Sequence, residues 1–317
     1  MKIIKKILSQ LILLIITLLI LFAIILLPKE ANIERTKDGE FKKAEYIYSF
    51  DKHVEDMKGF IKYIATTPNL GMYSYDVTNA ELIIQKIKKS IWVIIPALLI
   101  AFFGGIAKGI FDYWTKDKKR RLIGKGSTWL FLSVPDLFVI ISIQLTIMAL
   151  HEWGLTPHIS VYGYDSIDIY IICSFFLLMY PLFYVANVTY LSIQDEEGND
   201  YIRTAKAKGL HSFKILYTHV LKKSIPNILS QTNTITLYVL SNLLIIEKLT
   251  DFRGAAYYFY ESIGRENFYL SGQEAFSYPV SSVGFVFCFT IIIFIANTIS
   301  NICKTLVTPV RKDEISL

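Results

Sequence analysis

Six long apolar segments constrain this 317-residue chain more than any other feature of its sequence. The first, from Ile7 to Leu27, would extend roughly 31 Å as an α-helix, enough to cross the hydrocarbon layer of a bilayer. Hydrophobic residues make up 53% of the chain. We therefore predict an all-α integral membrane protein with six transmembrane helices. The six segments cover about residues 7–27, 91–111, 127–150, 168–193, 225–247 and 281–304.

The first apolar segment is interpreted as a retained membrane helix. A cleaved signal peptide usually has an apolar region of only about 7 to 15 residues, followed by small residues. This segment is longer and ends in Leu26-Leu-Pro-Lys29. We assign residues 1–28 to an N-terminal transmembrane helix.

Basic residues set the expected orientation. Lys and Arg occur before the first segment, between the second and third, between the fourth and fifth, and after the last, whereas the 151–167 loop has none. Cytoplasmic loops of membrane proteins are enriched in Lys and Arg. Both termini are therefore predicted to be cytoplasmic, in a multi-pass protein of the cell membrane.

The remaining chain divides into three parts by this topology. Residues 29–89 form an extracytoplasmic segment, whose length lets it cross the membrane regardless of its charge. It is expected either to pack on the external mouth of the helix bundle or to bind a partner. Residues 90–306 form the transmembrane core with a loop at 195–224, and residues 307–317 form a cytoplasmic tail.

Other functional classes find little support in the sequence. The net charge of +6 comes from clusters beside membrane segments, and not from one basic face with interleaved aromatic residues, so no nucleic acid partner is expected. Cys173, Cys288 and Cys303 lie within apolar runs without ligand spacing, so no metal site is predicted. Catalytic and nucleotide-binding motifs are lacking, and no enzyme activity or cofactor is expected.

The loop after the fourth segment contains a short charged helical pattern over residues 199–210. Acidic residues precede it and Lys206 and Lys208 end it, as the helix dipole favours. Asn199 or Asp200 can cap its start, and Gly209 suits a left-handed residue at its end. Because Ala205 and Ala207 keep the helix narrow, we expect it to lie in a groove of another protein. A second helical pattern follows from Ser212 to Pro226.

These residues carry a family resemblance. Asp200-Tyr-Ile-Arg-Thr-Ala-Lys-Ala-Lys-Gly-Leu210, followed by His219-Val-Leu-Lys-Lys-Ser-Ile-Pro226, resembles the "EAA" coupling loop of ABC-importer permeases, in its peptide/nickel form. The resemblance covers most of residues 60 to 312. Its further matches are Asn69-Leu-Gly71, Val77, Glu81 through Ser90, Ser133-Val-Pro135, Glu247, Phe252, Gly254 and Thr308-Pro-Val-Arg311.

The chain also departs from the family pattern. Arg253 replaces an expected proline, and an insertion near Arg265 to Phe276 lengthens the last external loop. Arg203 and Thr204 stand where the general motif has Glu and Ala, a change that the peptide subfamily shares. Contacts on the external side are therefore the least transferable part of the resemblance.

The resemblance implies a permease subunit that forms half of a translocation pathway for oligopeptides or dipeptides. Its implied partners are a second homologous permease, two cytoplasmic ABC ATPases, an extracytoplasmic substrate-binding protein and the lipid bilayer. The partner ATPases use the ATP. A nickel-chelate or other small-solute permease, and a non-transporting sensor or assembly protein, remain alternatives. The residues implied to couple to the ATPases are Asp200, Tyr201, Arg203, Thr204, Ala205, Ala207, Lys208, Gly209 and Leu210.

Three further residues are candidates for gating. Asp136, which follows Pro135, and Glu247 are isolated near the membrane, where a carboxylate facing lipid is costly. Both carboxylates are expected to face the helix bundle or the interface.

Overall fold

The computed structural model describes residues 2–27, 31–35, 41–46, 48–265 and 277–307. It shows an all-α protein, as predicted from the apolar segments, with two small β-hairpins that were not predicted. The helices are α1 (Lys2–Ile25), α2 (Phe50–Thr66), α3 (Asn79–Trp114), α4 (Lys125–Ser133), α5 (Asp136–Glu152), α6 (Ile167–Glu196), α7 (Asp200–Ala207), α8 (Ser212–Ile215), α9 (Leu221–Ser230), α10 (Thr232–Thr250), α11 (Ala255–Arg265) and α12 (Ser277–Val307).

The described residues contain four helices that are long and apolar enough to cross a bilayer, in α1, α3, α6 and α12. The pair α4 and α5 adds a fifth if it forms one broken span, because the two parts meet at a bend of 104°. The fifth predicted segment, residues 225–247, is divided between α9 and α10, and neither helix is among the four named above. The count of six spans therefore stays a prediction.

Helix α3 begins well before the apolar segment that predicts it. Thr78 caps its start, since the Thr78 side chain accepts a hydrogen bond from the Glu81 amide and Glu81 returns one to the Thr78 amide. This reciprocal pair is a capping box. The helix then continues for 36 residues to Trp114. The expected boundary between residues 89 and 90 consequently falls inside a continuous helix.

The centre of the bundle is the pair α3 and α6. A Cβ added at Gly105 would lie 2.6 Å from the Val185 Cβ, and one added at Gly109 would lie 2.6 Å from the Thr189 Cβ. Small residues let membrane helices approach closely and gain van der Waals contact. The two glycines thus fix how near α3 comes to α6. Helices α5, α10 and α11 add Ile140, Val239, Leu243, Ile246 and Ala256 to the same apolar core.

The segment between α1 and α3 packs on the bundle. Strands β1 (Ala31–Arg35) and β2 (Phe41–Tyr46) form an antiparallel hairpin, and β3 (Met72–Ser74) and β4 (Val77–Thr78) form a second one. Phe60 of α2 is fully buried against Leu26 and Val280. Asn79 donates a hydrogen bond of 3.0 Å to the Leu70 carbonyl. These contacts agree with the first of the two expected roles, packing on one end of the bundle.

Two features noted in the sequence lie outside the described residues. Apart from Arg265, the insertion near residues 265–276 falls there, and so does the ending Thr308-Pro-Val-Arg311.

Candidate functional site

Helix α7 has the ends that the sequence predicts. Asn199 is the N-cap residue, and the helix runs from Asp200 to Ala207. Gly209 has a φ of 74°, a left-handed conformation that glycine adopts at little cost. Asp200 lies in the first turn and Lys206 in the last turn. Both charges therefore interact favourably with the helix dipole. Each stabilises the helix by a few tenths of a kcal/mol to about 1 kcal/mol.

One face of α7 is buried inside the chain itself. Ile202 is 4% exposed and Ala205 is 6% exposed. We expected Ala205 to lie in a partner's groove, and this orientation is wrong for the chain described here. The small side chain instead lets α7 seat closely on its neighbours. The apolar cluster beneath α7 contains Ile193, Ile215, Leu216 and Val220, with Ile110, Tyr113, Tyr201 and Leu210 packed around it.

The other face of α7 is polar and open to solvent. It presents charged and small side chains, and its one ion pair among the described residues joins Arg203 to Asp200 at 3.6 Å. Both partners of that pair are highly exposed, so it contributes little stability. The predicted residues on this exposed side are Asp200, Arg203, Thr204, Ala207, Lys208 and Gly209.

Tyr201 connects α7 to the end of α6. Its hydroxyl donates a hydrogen bond of 2.6 Å to Glu196, and the Lys223 ammonium lies 3.5 Å from the centre of its ring. Burial, together with the hydrogen bond to Glu196, raises the pKa of the Tyr201 hydroxyl above its ordinary value. Tyr201 therefore remains a neutral hydrogen-bond donor that holds the start of α7 in place.

A second connection joins α6 to the end of α3. The Lys116 ammonium donates a hydrogen bond of 2.5 Å to Glu197, directly after α6. This hydrogen bond lowers the pKa of the Glu197 carboxyl below its ordinary value. Sequence reasoning did not identify this pair, because its members are 81 positions apart in the chain.

A buried polar network lies deeper in the same end of the bundle. Asp112 is 0% exposed and forms an ion pair with Lys108, one turn earlier in α3. Thr128 of α4 donates a 2.5 Å hydrogen bond to Asp112, and Lys108 donates one of 3.1 Å to the Gly124 carbonyl. The network ties α4 to α3. Sequence reasoning missed it too, although a Lys and an Asp four residues apart in an apolar segment were a readable signal.

The chain beyond Gly209 completes the surface around α7. Helices α8 and α9 are joined by a π-helical turn over Leu216–Val220, so the predicted helical pattern is confirmed from Ser212 onward. Three partly exposed aromatic rings, at the end of α3, in α8 and in the π-helical turn, pack against one another. Phe213 is 5.5 Å from Trp114 and 5.3 Å from Tyr217, measured between ring centres.

Glu247, the first of the proposed gating residues, is 0% exposed and lies near the end of α10. It accepts hydrogen bonds from the Ser90 hydroxyl at 2.5 Å and from the Tyr257 amide at 2.8 Å. Ser90 in turn accepts one of 2.7 Å from the Ala255 amide. The carboxylate thereby joins α3 and α10 to the amino-terminal end of α11. Its expected orientation toward the bundle is confirmed.

Pro135 and Asp136 lie at the bend between α4 and α5. Pro135 is the N-cap residue of α5, where its missing amide costs no helical hydrogen bond. The half-buried Asp136 carboxylate accepts hydrogen bonds from the Tyr238 hydroxyl and, at 2.5 Å, from the Asn242 amide group. It therefore faces α10, as expected for a carboxylate turned toward the bundle. No described contact tests a gating role for either residue.

The chain is similar to proteins of known class. It is 35% identical over 88 residues to the dipeptide transport system permease protein DppB of Bacillus subtilis, covering 28% of this chain and 29% of that protein. It is 28% identical over 119 residues to DppB of Haemophilus influenzae, covering 38% of this chain and 33% of that protein. The matched segments thus span about a third of each of these relatives.

A family model covers much more of the chain. The model described as "Binding-protein-dependent transport system inner membrane component" matches residues 91–312, which include every helix from α4 to α12 and most of α3. The exposed helix α7 and its apolar seat lie within this match. The chain therefore belongs to the family of inner membrane components of binding-protein-dependent transport systems.

Proposed function

We propose that this chain is the permease subunit of an ATP-driven importer of peptides and that α7 transmits the movement of cytoplasmic ATPases to the membrane helices. The observation that carries the proposal is the two-sided construction of α7. One side is anchored in the apolar cluster of its own chain. The other side, with Arg203 and Thr204, is exposed and free to contact a partner.

The anchoring gives α7 the properties of a lever. Ile202 and Ala205 pack against residues of α3, α6 and α8, and Tyr201 is hydrogen-bonded to the end of α6. A force on the exposed face would consequently move α6 rather than α7 alone. Helix α6 packs against α3 along its length and also contacts α10. Closure of the ATPases could in this way change the opening between membrane helices.

Peptides are the proposed substrate class. The two named relatives are dipeptide permeases, and this favours peptides over nickel chelates. The proposed partners are a second homologous permease, two cytoplasmic ATPases and an extracytoplasmic binding protein. A second permease is needed because one chain supplies one α7, whereas a pair of ATPases has two docking clefts. The ATPases hydrolyse the ATP, and this chain supplies no phosphate chemistry.

Reconstitution tests the function. Liposomes that contain this chain alone should take up no peptide and hydrolyse no ATP. Addition of the second permease, the ATPases and the binding protein should give uptake of radiolabelled dipeptide that requires ATP. Uptake that continues after this chain is omitted from the complete assembly would contradict the proposal.

Thiol labelling tests the proposed orientation, in which both termini are cytoplasmic. In a variant without the three native cysteines, His211→Cys should be shielded from an impermeant thiol reagent in intact cells. Asp51→Cys should react, because the proposed orientation puts α2 on the outside. Labelling of position 211 from outside would contradict both the orientation and the docking of ATPases to α7.

A further inference from the structure

Helix α10 carries a stripe of polar side chains on a face that the described residues cover only in part. The stripe begins at Gln231 and continues at intervals of three or four residues, which places its members on one side of a helix. The apolar residues Val239, Leu243 and Ile246 lie on a different face and are buried. Thr234 and Ser241 of the stripe are exposed, and Tyr238 and Asn242 are half-buried.

Side chains from two other helices extend this stripe. The Tyr180 ring of α6 stacks on Tyr238, with 4.0 Å between ring centres. The Tyr184 hydroxyl, one turn further along α6, donates a hydrogen bond of 2.9 Å to Gln231. Asp136 of α5 accepts hydrogen bonds from α10. We name this surface the polar track. It consists of the stripe of α10, namely Gln231, Thr234, Tyr238, Ser241 and Asn242, together with Asp136, Tyr180 and Tyr184.

The α10 residues of the polar track lie within the fifth predicted span, residues 225–247. Tyr238 precedes the last residue of α10, Thr250, by 12 positions, which is about 18 Å along the helix, compared with about 30 Å for the hydrocarbon layer. Polar groups at that depth are costly if they face lipid. The track must therefore face water or another polypeptide.

Asp136 gives the track a carboxylate that no described cation pairs with, whether Lys, Arg or His. Its side-chain donors, Tyr238 and Asn242, are neutral and, together with backbone amides at the start of α5, hold the carboxylate in a fixed position. A fixed carboxylate beside tyrosine rings suits an ammonium group, through a charge-assisted hydrogen bond and cation–π contact.

We infer that the polar track lines the path of the transported peptide and that the Asp136 carboxylate binds the ammonium groups of peptides in transit. This inference rests on the proposed function, because a path requires a permease. It adds the residues that contact the substrate and a preference for cationic peptides. A second permease packed permanently over the track is the competing occupant.

Thiol accessibility separates a water-filled path from a protein contact. In the complete assembly, without the three native cysteines, Ser241→Cys should react with a charged methanethiosulfonate reagent in the resting or the ATP-bound state. Phe175→Cys is the apolar control, because Phe175 is exposed and lies among the apolar residues Phe138, Ile143 and Met179. Protection of position 241 in both states, or equal reactivity at the two positions, would overturn the inference.

Peptide selectivity tests the role of the charge. Uptake of alanyl-lysine and of alanyl-glutamate is measured with the same binding protein at saturating peptide, so that the contribution of the binding protein cancels between permease variants. Asp136→Asn should lower the ratio of the two uptake rates by about tenfold. Asp136→Glu, which keeps the charge, should largely retain the ratio.

An unchanged ratio in an active Asp136→Asn transporter would overturn ammonium binding at the track while leaving the proposed function intact. Failure of the wild-type assembly to transport either dipeptide would instead contradict the proposed function. If both Asp136 variants fail to assemble, the comparison of positions 241 and 175 still decides whether the track is a path.

Discussion

The exposed face of α7 and the buried carboxylate of Glu247, at the other end of the bundle, use polar groups in opposite ways. At the α7 end, the helix buries Ile202 and Ala205 in its own chain and leaves Arg203 and its charged neighbours exposed. At the α11 end, Glu247 is fully buried and its oxygens bind groups of α3 and α11. A polar group that is satisfied internally fixes a joint, whereas one that is left exposed remains available to a partner. The exposed face of α7 is therefore suited to docking, whereas Glu247, like the buried Asp112, holds helices together.

The most direct test of this comparison places a charge on each side of α7 in turn. Ala205→Glu should destabilise the protein by roughly 3 to 5 kcal/mol, the cost of an uncompensated buried charge. Ala207→Glu adds the same group to the exposed side of the same helix, so unfolding should be nearly unchanged. Thermal unfolding in detergent measures the stability of both variants. Equal destabilisation by the two variants would contradict the two-sided construction of α7.

Removal of the buried carboxylate tests the α11 end. Glu247→Ala should cost about 1 to 3 kcal/mol, because the Ser90 hydroxyl and the Tyr257 amide lose their acceptor in a buried place. Glu197→Ala, at the α7 end, is the control and should cost less than about 1 kcal/mol, because its ion pair with Lys116 is partly solvated. The measurement is the unfolding temperature of each variant, which should fall more for Glu247→Ala than for Glu197→Ala. A larger loss for Glu197→Ala would reverse the comparison.

Arg203→Glu should change stability by less than about 0.5 kcal/mol, as surface substitutions do. It should nevertheless reduce ATP-dependent peptide uptake, because it reverses a charge on the face proposed to contact the ATPases. Lys62→Glu on the exposed surface of α2 is the matched control, and it should leave uptake unchanged. ATP-dependent uptake in proteoliposomes is the measurement. Normal uptake by the Arg203 variant, with the ATPases bound as tightly as in the wild type, would exclude this residue from the docking surface.

The smallest expected effect is a pH dependence at the α7 end. The hydrogen bond from Lys116 lowers the pKa of Glu197 below its ordinary value of 4.5 in the folded protein. The stability from this pair is therefore complete above pH 4.5 and is lost as pH falls through the lower folded pKa. Unfolding temperatures of wild type and Glu197→Gln should converge as pH falls from about 7 to about 3. A constant difference over that range would show that the carboxylate charge is not involved.

The helices of the bundle and the bounds of α7 followed from local rules. Apolar runs of membrane length predicted α1, α3, α6 and α12, because a backbone in lipid must satisfy its hydrogen bonds within a helix. Asn199 and Gly209 marked the ends of α7, because capping and left-handed backbone conformation depend on residues close together in sequence. The start of α3 was misplaced, since the capping box of Thr78 and Glu81 lies outside the apolar run.

The sequence by itself determined the all-α membrane architecture, the existence of α7 and its polar ends. Only the tertiary structure decided which side of α7 is buried, because Ala205 and Ala207 differ solely in what α6 and α8 place beside them. The same holds for the partners of Asp136 and Glu247, which lie 106 and 157 positions away in the chain. Local sequence patterns specify helices and their ends, whereas contacts between distant positions depend on how the helices pack.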